Sequence, residues 1–152
     1  MRSLGIRAEP KQISFVVFCS ANKSLLCVDT IAIPKMLEVP EQLKYIRNNI
    51  LDVLREYKIE FAALRVAEGI AKNQSITRYY LEAVIQEAFS SSNVTNYQVL
   101  RMNTIIKNLK INKEQYDLIL ESKSSLLDID NSEFKKVMNE AFMASIAAVN
   151  HA

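Results

Sequence analysis

Lys11-Gln12-Ile13-Ser14-Phe15-Val16-Val17-Phe18-Cys19 is the stretch from which the fold is read. β-Branched and aromatic residues dominate it and fall on both sides of an extended chain. Ile13, Phe15, Val17 and Cys19 share one face, and Val16 and Phe18 share the other. Side chains alternate across a strand, so a strand that is apolar on both faces is covered on both, as in the middle of a layered sheet. Its neighbours lie on either side in sequence. Ser3 to Ala8 precedes it, and the polar turn Ser20-Ala21-Asn22-Lys23 leads into Ser24 to Ile33, which predicts a three-stranded antiparallel meander.

Beyond the meander the period changes. Pro40 opens a helix at its first position, where the missing N–H costs nothing. Leu43, Ile46, Ile50, Val53, Leu54 and Tyr57 then recur at helical spacing, with Lys44, Arg47, Asp52 and Glu56 outside. Phe61 to Ala67 is short and apolar and stops at Glu68-Gly69, which reads as a strand ending in a loop. A second helix covers about Ile76 to Phe89, with Tyr79, Tyr80, Ala83, Val84 and Phe89 as its apolar part, and Tyr97 to Leu100 is the last strand. Further helices are expected over Asn103 to Leu109 and from near Lys113. Asp130-Asn131-Ser132-Glu133 has the spacing of a capping box ahead of a terminal helix carrying Phe134, Val137, Met138, Ala141, Ser145 and Ala148 on one face. Ala144, Ser145, Ala147 and Ala148 are small enough to let that helix approach the sheet closely. A meander followed by two strand–helix units implies right-handed crossovers. The expected fold is α/β: a five-stranded mixed sheet of order 3-2-1-4-5 with helices on both faces.

The bulk numbers bound the function. A chain of 152 residues, 49% hydrophobic and 24% charged, reads as one soluble globular domain over residues 1–152. Nineteen basic against 17 acidic residues give a net charge of +2, too balanced for a nucleic-acid footprint spread over the whole chain, although a local patch stays open. Cys19 and Cys27 lie in apolar runs without a Cys-x-x-Cys motif or a histidine partner, and are expected as buried reduced thiols. The N-terminus carries no signal-peptide stretch, and no run approaches the ~20 apolar residues of a membrane span. A cytoplasmic location is the expectation, with no membrane partner.

Several local sequences, in order, resemble the RuvC Holliday-junction resolvase branch of the ribonuclease H-like superfamily. Leu4-Gly5-Ile6-Arg7 resembles that family's Leu-Gly-Ile-Asp start. Glu68-Gly69-Ile70-Ala71-Lys72-Asn73-Gln74-Ser75 is similar to the loop after its fourth strand, which begins with the catalytic Glu and carries an Ala-Lys-Asn tract. Val99 to Lys110, with Thr104 and Lys107, is similar to its last strand and the helix that follows, and Lys113-Glu114-Gln115 to a Lys-x-Gln helix start. The segment from Asn139 to Ala148 resembles its terminal Asp-x-x-Asp-Ala-Leu-Ala helix. The resemblance spans nearly the whole chain.

The resemblance implies four carboxylates holding two divalent ions, which activate water and stabilise the leaving oxygen. Carried over residue by residue, that set fails. The first acid falls on Arg7, the third on Asn139 and the fourth on Phe142; Glu68 alone stands where the family needs it. An arginine is always protonated and ligates no magnesium, so Arg7 is expected beside Glu68 as an ion pair in place of the metal, with no cofactor. Glu68 is then a catalytic remnant, or a plain partner for Arg7 or Arg65. The expected function is a non-catalytic RuvC-like binding or interaction module, a pseudo-nuclease in which nucleic acid remains an open partner. The alternative is a Mg- or Mn-dependent nuclease using Glu68 with Glu9 or Glu140. Each of those two lies one residue from the family position, so its side chain is expected to point elsewhere.

The remaining candidates weigh toward plain roles. Arg65, in an apolar strand, needs a partner for its charge. Lys72, Asn73 and Arg78 flank the open loop and could touch phosphates, while a solvated loop accounts for them equally well. His151 is penultimate, and fraying is its simpler reading. Tyr79, Tyr80 and Phe89 could stack on bases but more often mean packing, either against the sheet or across a dimer. Because the family dimerises through the helix after the fourth strand, the Ile76 to Phe89 helix is the expected homodimer interface.

Overall fold

The computed structural model describes residues 1–69 and 74–150. Strands β1 (Arg2–Ala8), β2 (Gln12–Cys19) and β3 (Ser24–Ala32) are followed by α1 (Val39–Glu56), β4 (Phe61–Arg65), α2 (Ile76–Ser90) and β5 (Asn96–Leu100). Helices α3 (Met102–Leu109), α4 (Lys113–Leu120) and α5 (Lys136–Asn150) complete the chain. The strands form one sheet of order β3-β2-β1-β4-β5, with β1–β2 and β2–β3 antiparallel and β1–β4 and β4–β5 parallel. Order, mixture and two-faced covering agree with the sequence expectation. No helix among the described residues is long and apolar enough to cross a membrane.

The alternation read in β2 divides the core in two. Ile13, Phe15 and Val17 face α1 and α2 together with Leu4, Ile6, Ile46, Ile50, Leu64, Leu81 and Ile85. Val16 and Phe18 face the opposite layer with Leu100, Ile105, Tyr116, Ile119 and the small residues of α5. A fully buried Leu, Ile or Phe contributes roughly 1.5–3 kcal/mol, so each layer is stabilised by many such side chains and neither depends on one.

The contact that sets the site is between α5 and β1. A Cβ on Gly5 would lie 2.1 Å from the Ala141 carbonyl oxygen and 2.4 Å from the Ser145 nitrogen, so the helix backbone rests directly on the strand. Ser3 Oγ donates to the Ser145 carbonyl at 2.6 Å one turn further along. Ser3, Gly5 and Arg7 are alternate residues and share this face. As β1 rises from Ser3 to Arg7, α5 descends from Ser145 toward Glu140, and the helix cannot rotate without losing both contacts.

Four local readings are corrected. Asp130 does not cap α5: its Oδ1 accepts from Ser132 N at 2.9 Å, a tight turn, and the helix begins only at Lys136. Residues Ala141 to Ala148 of α5 are all buried, because α3 and α4 cover the side away from the sheet. On α2 the inward face is Leu81, Glu82, Ile85, Ala88 and Phe89, whereas Tyr79 and Tyr80 are exposed. Cys19 is buried, but Cys27 on the edge strand is half-buried; both are unpaired thiols.

Candidate functional site

Parallel pairing places Arg7 at the end of β1 directly beside Arg65 at the end of β4. Like charges opposite one another in a sheet repel, and both side chains are largely withdrawn from water, Arg7 at 13% exposure and Arg65 at 6%. The arrangement needs anions, and α5 supplies one. Glu140 Oε1 lies 3.4 Å from Arg7 Nε, and its Oε2 lies 3.4 Å from Arg65 Nη2. The same Arg65 nitrogen lies 3.2 Å from Glu68 Oε1. One guanidinium thus sits between two carboxylates from opposite sides of the site, while a second guanidinium takes the free side of Glu140.

Backbone groups finish the arrangement. Arg7 Nη1 donates to the Arg65 carbonyl at 3.1 Å, and Arg65 Nη1 donates to the Val66 carbonyl. Glu68 Oε1 also accepts from Met102 N at 3.0 Å, so it caps the first turn of α3, where a negative charge is favoured. Tyr116, reaching in from α4, is 1% exposed; burial pushes its phenol above the ordinary value, and the Arg65 charge pulls the other way. Burial likewise lowers Arg7, Glu140 opposes that, and the Arg65 and Arg78 charges reinforce it.

The expected Arg7–Glu68 pair is not what forms: Arg7 pairs with Glu140, and Glu68 goes to Arg65. The predicted structural ion pair for Arg65 is present, twice over. Glu140 was expected to point about 100° away and instead enters the site, because the Gly5 contact fixes the rotation of α5 one residue from the motif alignment. Asn139 and Phe142, aligned with the third and fourth acids, face away. Asn139 donates to the Leu120 carbonyl at 2.9 Å and to Ser122 Oγ at 2.8 Å, and accepts from Asn131 Nδ2 at 2.9 Å, closing the end of α4. Phe142 is buried edge-to-face on Phe134 with ring centroids 5.7 Å apart. Glu9 is not drawn in: its Oε1 accepts from Gln12 Nε2 at 3.0 Å. The trio needed by the alternative reading, Glu68 with Glu9 and Glu140, is therefore not assembled, and no group of three or more His, Cys, Asp or Glu placed to hold a metal occurs among the described residues. Lys72, Asn73 and His151 lie outside the described residues.

Sequence reasoning missed Glu82 and Tyr116. Glu82 is 5% exposed, and its Oε2 accepts from Ala67 N at 3.0 Å, tying α2 to the end of β4. Its signal was positional: it lies between Leu81 and Ile85 on the face turned to the sheet, but a lone Glu on a helix reads as solvated. Tyr116 precedes Ile119 by one helical step, which marks a buried face too short to stand out.

No protein-family model matches the chain, and no curated protein matches it in sequence. Solved structures do. The Thermus thermophilus RuvC structure superposes with a TM-score of 0.78 at 15% identity, covering 99% of this chain and 95% of that one. T. thermophilus RuvC in complex with Holliday junction substrate gives 0.77 at 14% identity, over 99% and 94%. The yeast mitochondrial Holliday junction resolvase Ydc2 gives 0.59 at 13% identity, over 97% and 77%. The strand order, and the near-complete mutual coverage with the T. thermophilus structures, agree: the chain has the RuvC-like form of the ribonuclease H-like fold.

Proposed function

We propose that this chain is a RuvC-like domain whose metal centre has been exchanged for internal cations. In this reading it works as a non-catalytic, nucleic-acid-related binding module assembled as a homodimer. The observation that carries the reading is the Arg65 guanidinium, held between Glu68 and Glu140 with Arg7 on the second oxygen of Glu140. Two-metal hydrolysis needs carboxylates that divalent ions neutralise. Here the two carboxylates facing the strand ends are already matched by two guanidinium charges. A cation entering at ~4 Å from a fixed positive charge meets a repulsion of about 4 kcal/mol at an effective dielectric near 20.

The nuclease alternative has one observation in its favour. Glu68 Oε1 and Glu140 Oε2 both lie within 3.4 Å of one nitrogen, so they bracket a common point. For a metal to take that point, Arg65 has to leave a position where it is 5% exposed and bonded to the Val66 carbonyl.

The homodimer part rests on α2. Ile76, Tyr79 and Tyr80 are 69%, 38% and 47% exposed, and Ala83 continues the outward stripe. On β5, Tyr97 and Val99 are exposed as well, with Tyr97 tilted against the buried Phe89 at 6.1 Å between ring centroids. Contiguous apolar patches of this kind mark partner surfaces. The test is titration calorimetry with Mn²⁺ and Mg²⁺ alongside sedimentation. The expected results are no saturable metal binding and a dimer at tens of micromolar. Saturable metal binding abolished by Glu68→Gln would remove the internal-cation reading.

A further inference from the structure

We propose that a second site, in the groove between β3 and the start of α5, binds a primary ammonium group carried on an apolar body. It does not depend on how the arginine centre is read.

The groove exists because the sheet is wider than the helix layer on this side. Helix α5 packs on β1, β2 and β4. Val28 of β3, directly opposite the buried Val16, is left 38% exposed. Ser14, Val28 and Thr30 form the sheet side of the groove, and Phe134, Val137 and Met138 form the side of α5 and the segment before it. The space is about 590 Å³, within the roughly 300–1,000 Å³ usual for small-molecule sites. Phe134 is fixed edge-to-face on the buried Phe142, which makes the apolar wall a rigid one.

Ser14 points to a ligand. It is only 2% exposed, yet its hydroxyl enters no hydrogen bond among the described residues, and it lines the groove. Buried polar groups are almost always hydrogen-bonded, so one that is not calls for a ligand or a water. Thr30, opposite Ser14 in the antiparallel register, brings a second hydroxyl to the same face. Glu9 supplies the charge. Its backbone N–H donates to the Gln12 carbonyl at 2.8 Å, and Gln12 Nε2 donates to Glu9 Oε1 at 3.0 Å, so the turn holds the carboxylate in place. That partner is a neutral amide: among the described residues no Lys or Arg pairs with Glu9, which is half-buried. The other charged lining residues, Glu133 and Lys135, are both exposed and offset one another. Arg7, the cross-strand neighbour of Ser14, is matched by Glu140. The groove therefore carries one net negative charge, at Glu9.

A carboxylate oxygen and two hydroxyls are three acceptors, and an ammonium offers three donors and no acceptor. An anion is repelled by Glu9. A hard divalent cation needs several charged oxygens, and here a single carboxylate faces a wall that has no ligand to give. An apolar body on the ammonium covers Val28, Val137, Met138 and the Phe134 ring.

Calorimetric titration of the full chain with phenethylamine at constant ionic strength should show saturable binding. Phenethyl alcohol has the same body without the charge, and trimethylated phenethylamine has the charge without N–H donors; each should bind at least roughly tenfold more weakly. Glu9→Gln and Ser14→Ala should weaken amine binding by about tenfold or more, whereas Asp52→Asn, on α1 across the sheet, should leave it unchanged. Val28→Trp, at an exposed position, should fill the groove and abolish binding with the melting temperature preserved, and it decides the matter should Ser14→Ala disturb the sheet. A lysine blocked at both backbone ends identifies the source: competition tighter than the free amine assigns the groove to a protein side chain, and weaker competition to a free amine. Absence of saturable phenethylamine binding, equal binding of either analogue, or binding unchanged in Glu9→Gln and Val28→Trp overturns the proposal.

Discussion

Glu140→Gln is the substitution to which the centre should respond most strongly. The carboxylate serves Arg7 and Arg65 at once, each at 3.4 Å, and its side chain is 12% exposed. Glutamine keeps the shape and removes the charge, leaving two guanidinia held near one point with only Glu68 between them and neutrality. Both lie within 3.4 Å of one carboxylate, which bounds their separation near ~9 Å and their repulsion at about 2 kcal/mol for an effective dielectric near 20. Breaking a buried pair by removing one partner costs roughly 3–5 kcal/mol. Glu68 remains on Arg65 and retains part of that, so a net loss of about 3 kcal/mol is expected. For a domain of this size it lowers the melting temperature by roughly 6–12 °C. Urea denaturation followed by circular dichroism should show a lower midpoint at unchanged slope. Adding Arg7→Met should recover about 1 kcal/mol or more, since an uncompensated charge goes with it. A loss below about 1 kcal/mol for Glu140→Gln, or strict additivity with Arg7→Met, would refute the idea that these charges balance one another.

Three further outcomes follow from the geometry. Gly5→Ala drives a methyl into the Ala141 and Ser145 backbone of α5; neither can yield as a flexible side chain does, so a loss of about 3 kcal/mol or more is expected by denaturation. Tyr116, its phenol raised by burial, should ionise above the ordinary tyrosine range in an ultraviolet alkaline titration. Its favourable contribution is complete below the unfolded value near 10 and is lost as pH rises through the higher folded value, so Tyr116→Phe should flatten the alkaline limb of stability between them. Tyr79→Glu, at an exposed position on α2, should convert the proposed dimer to monomer in sedimentation while leaving the melting of the monomer within about 0.5 kcal/mol.

The layered fold was legible because β2 announces itself. Phe15 and Val16 are adjacent and both buried, in different cores, and only a strand covered on both faces puts neighbours in separate layers. The site was legible in part. Arg7 and Glu68 were found by their place near the end of the first strand and after the fourth, and Arg65 was one of the two partners weighed for Glu68; Glu140 as the partner of Arg7 was not foreseen. Which residue of α5 meets Arg7 depends on helix rotation, and that is fixed by a backbone contact at Gly5 involving no side chain of α5. A motif alignment slides along the chain in whole residues, and one residue on a helix is 100°; Glu140 and Asn139 therefore exchanged roles. Tyr79 and Tyr80 were left between packing on the sheet and packing across a dimer; they are exposed, because the inward turn of α2 is set by Leu81, Ile85 and Phe89. Glu82 escaped notice because a buried carboxylate is allowed only by its partner, here the Ala67 amide fifteen residues away on a different element.

Incubation of the wild-type chain with a four-way DNA junction in Mn²⁺ or Mg²⁺, beside Glu68→Gln, is the most direct test of the internal-cation centre. With Arg65 holding both carboxylates, the prediction is no strand cleavage by either protein in either metal. Metal-dependent cleavage by the wild type that Glu68→Gln abolishes would contradict the account and establish the nuclease in its place.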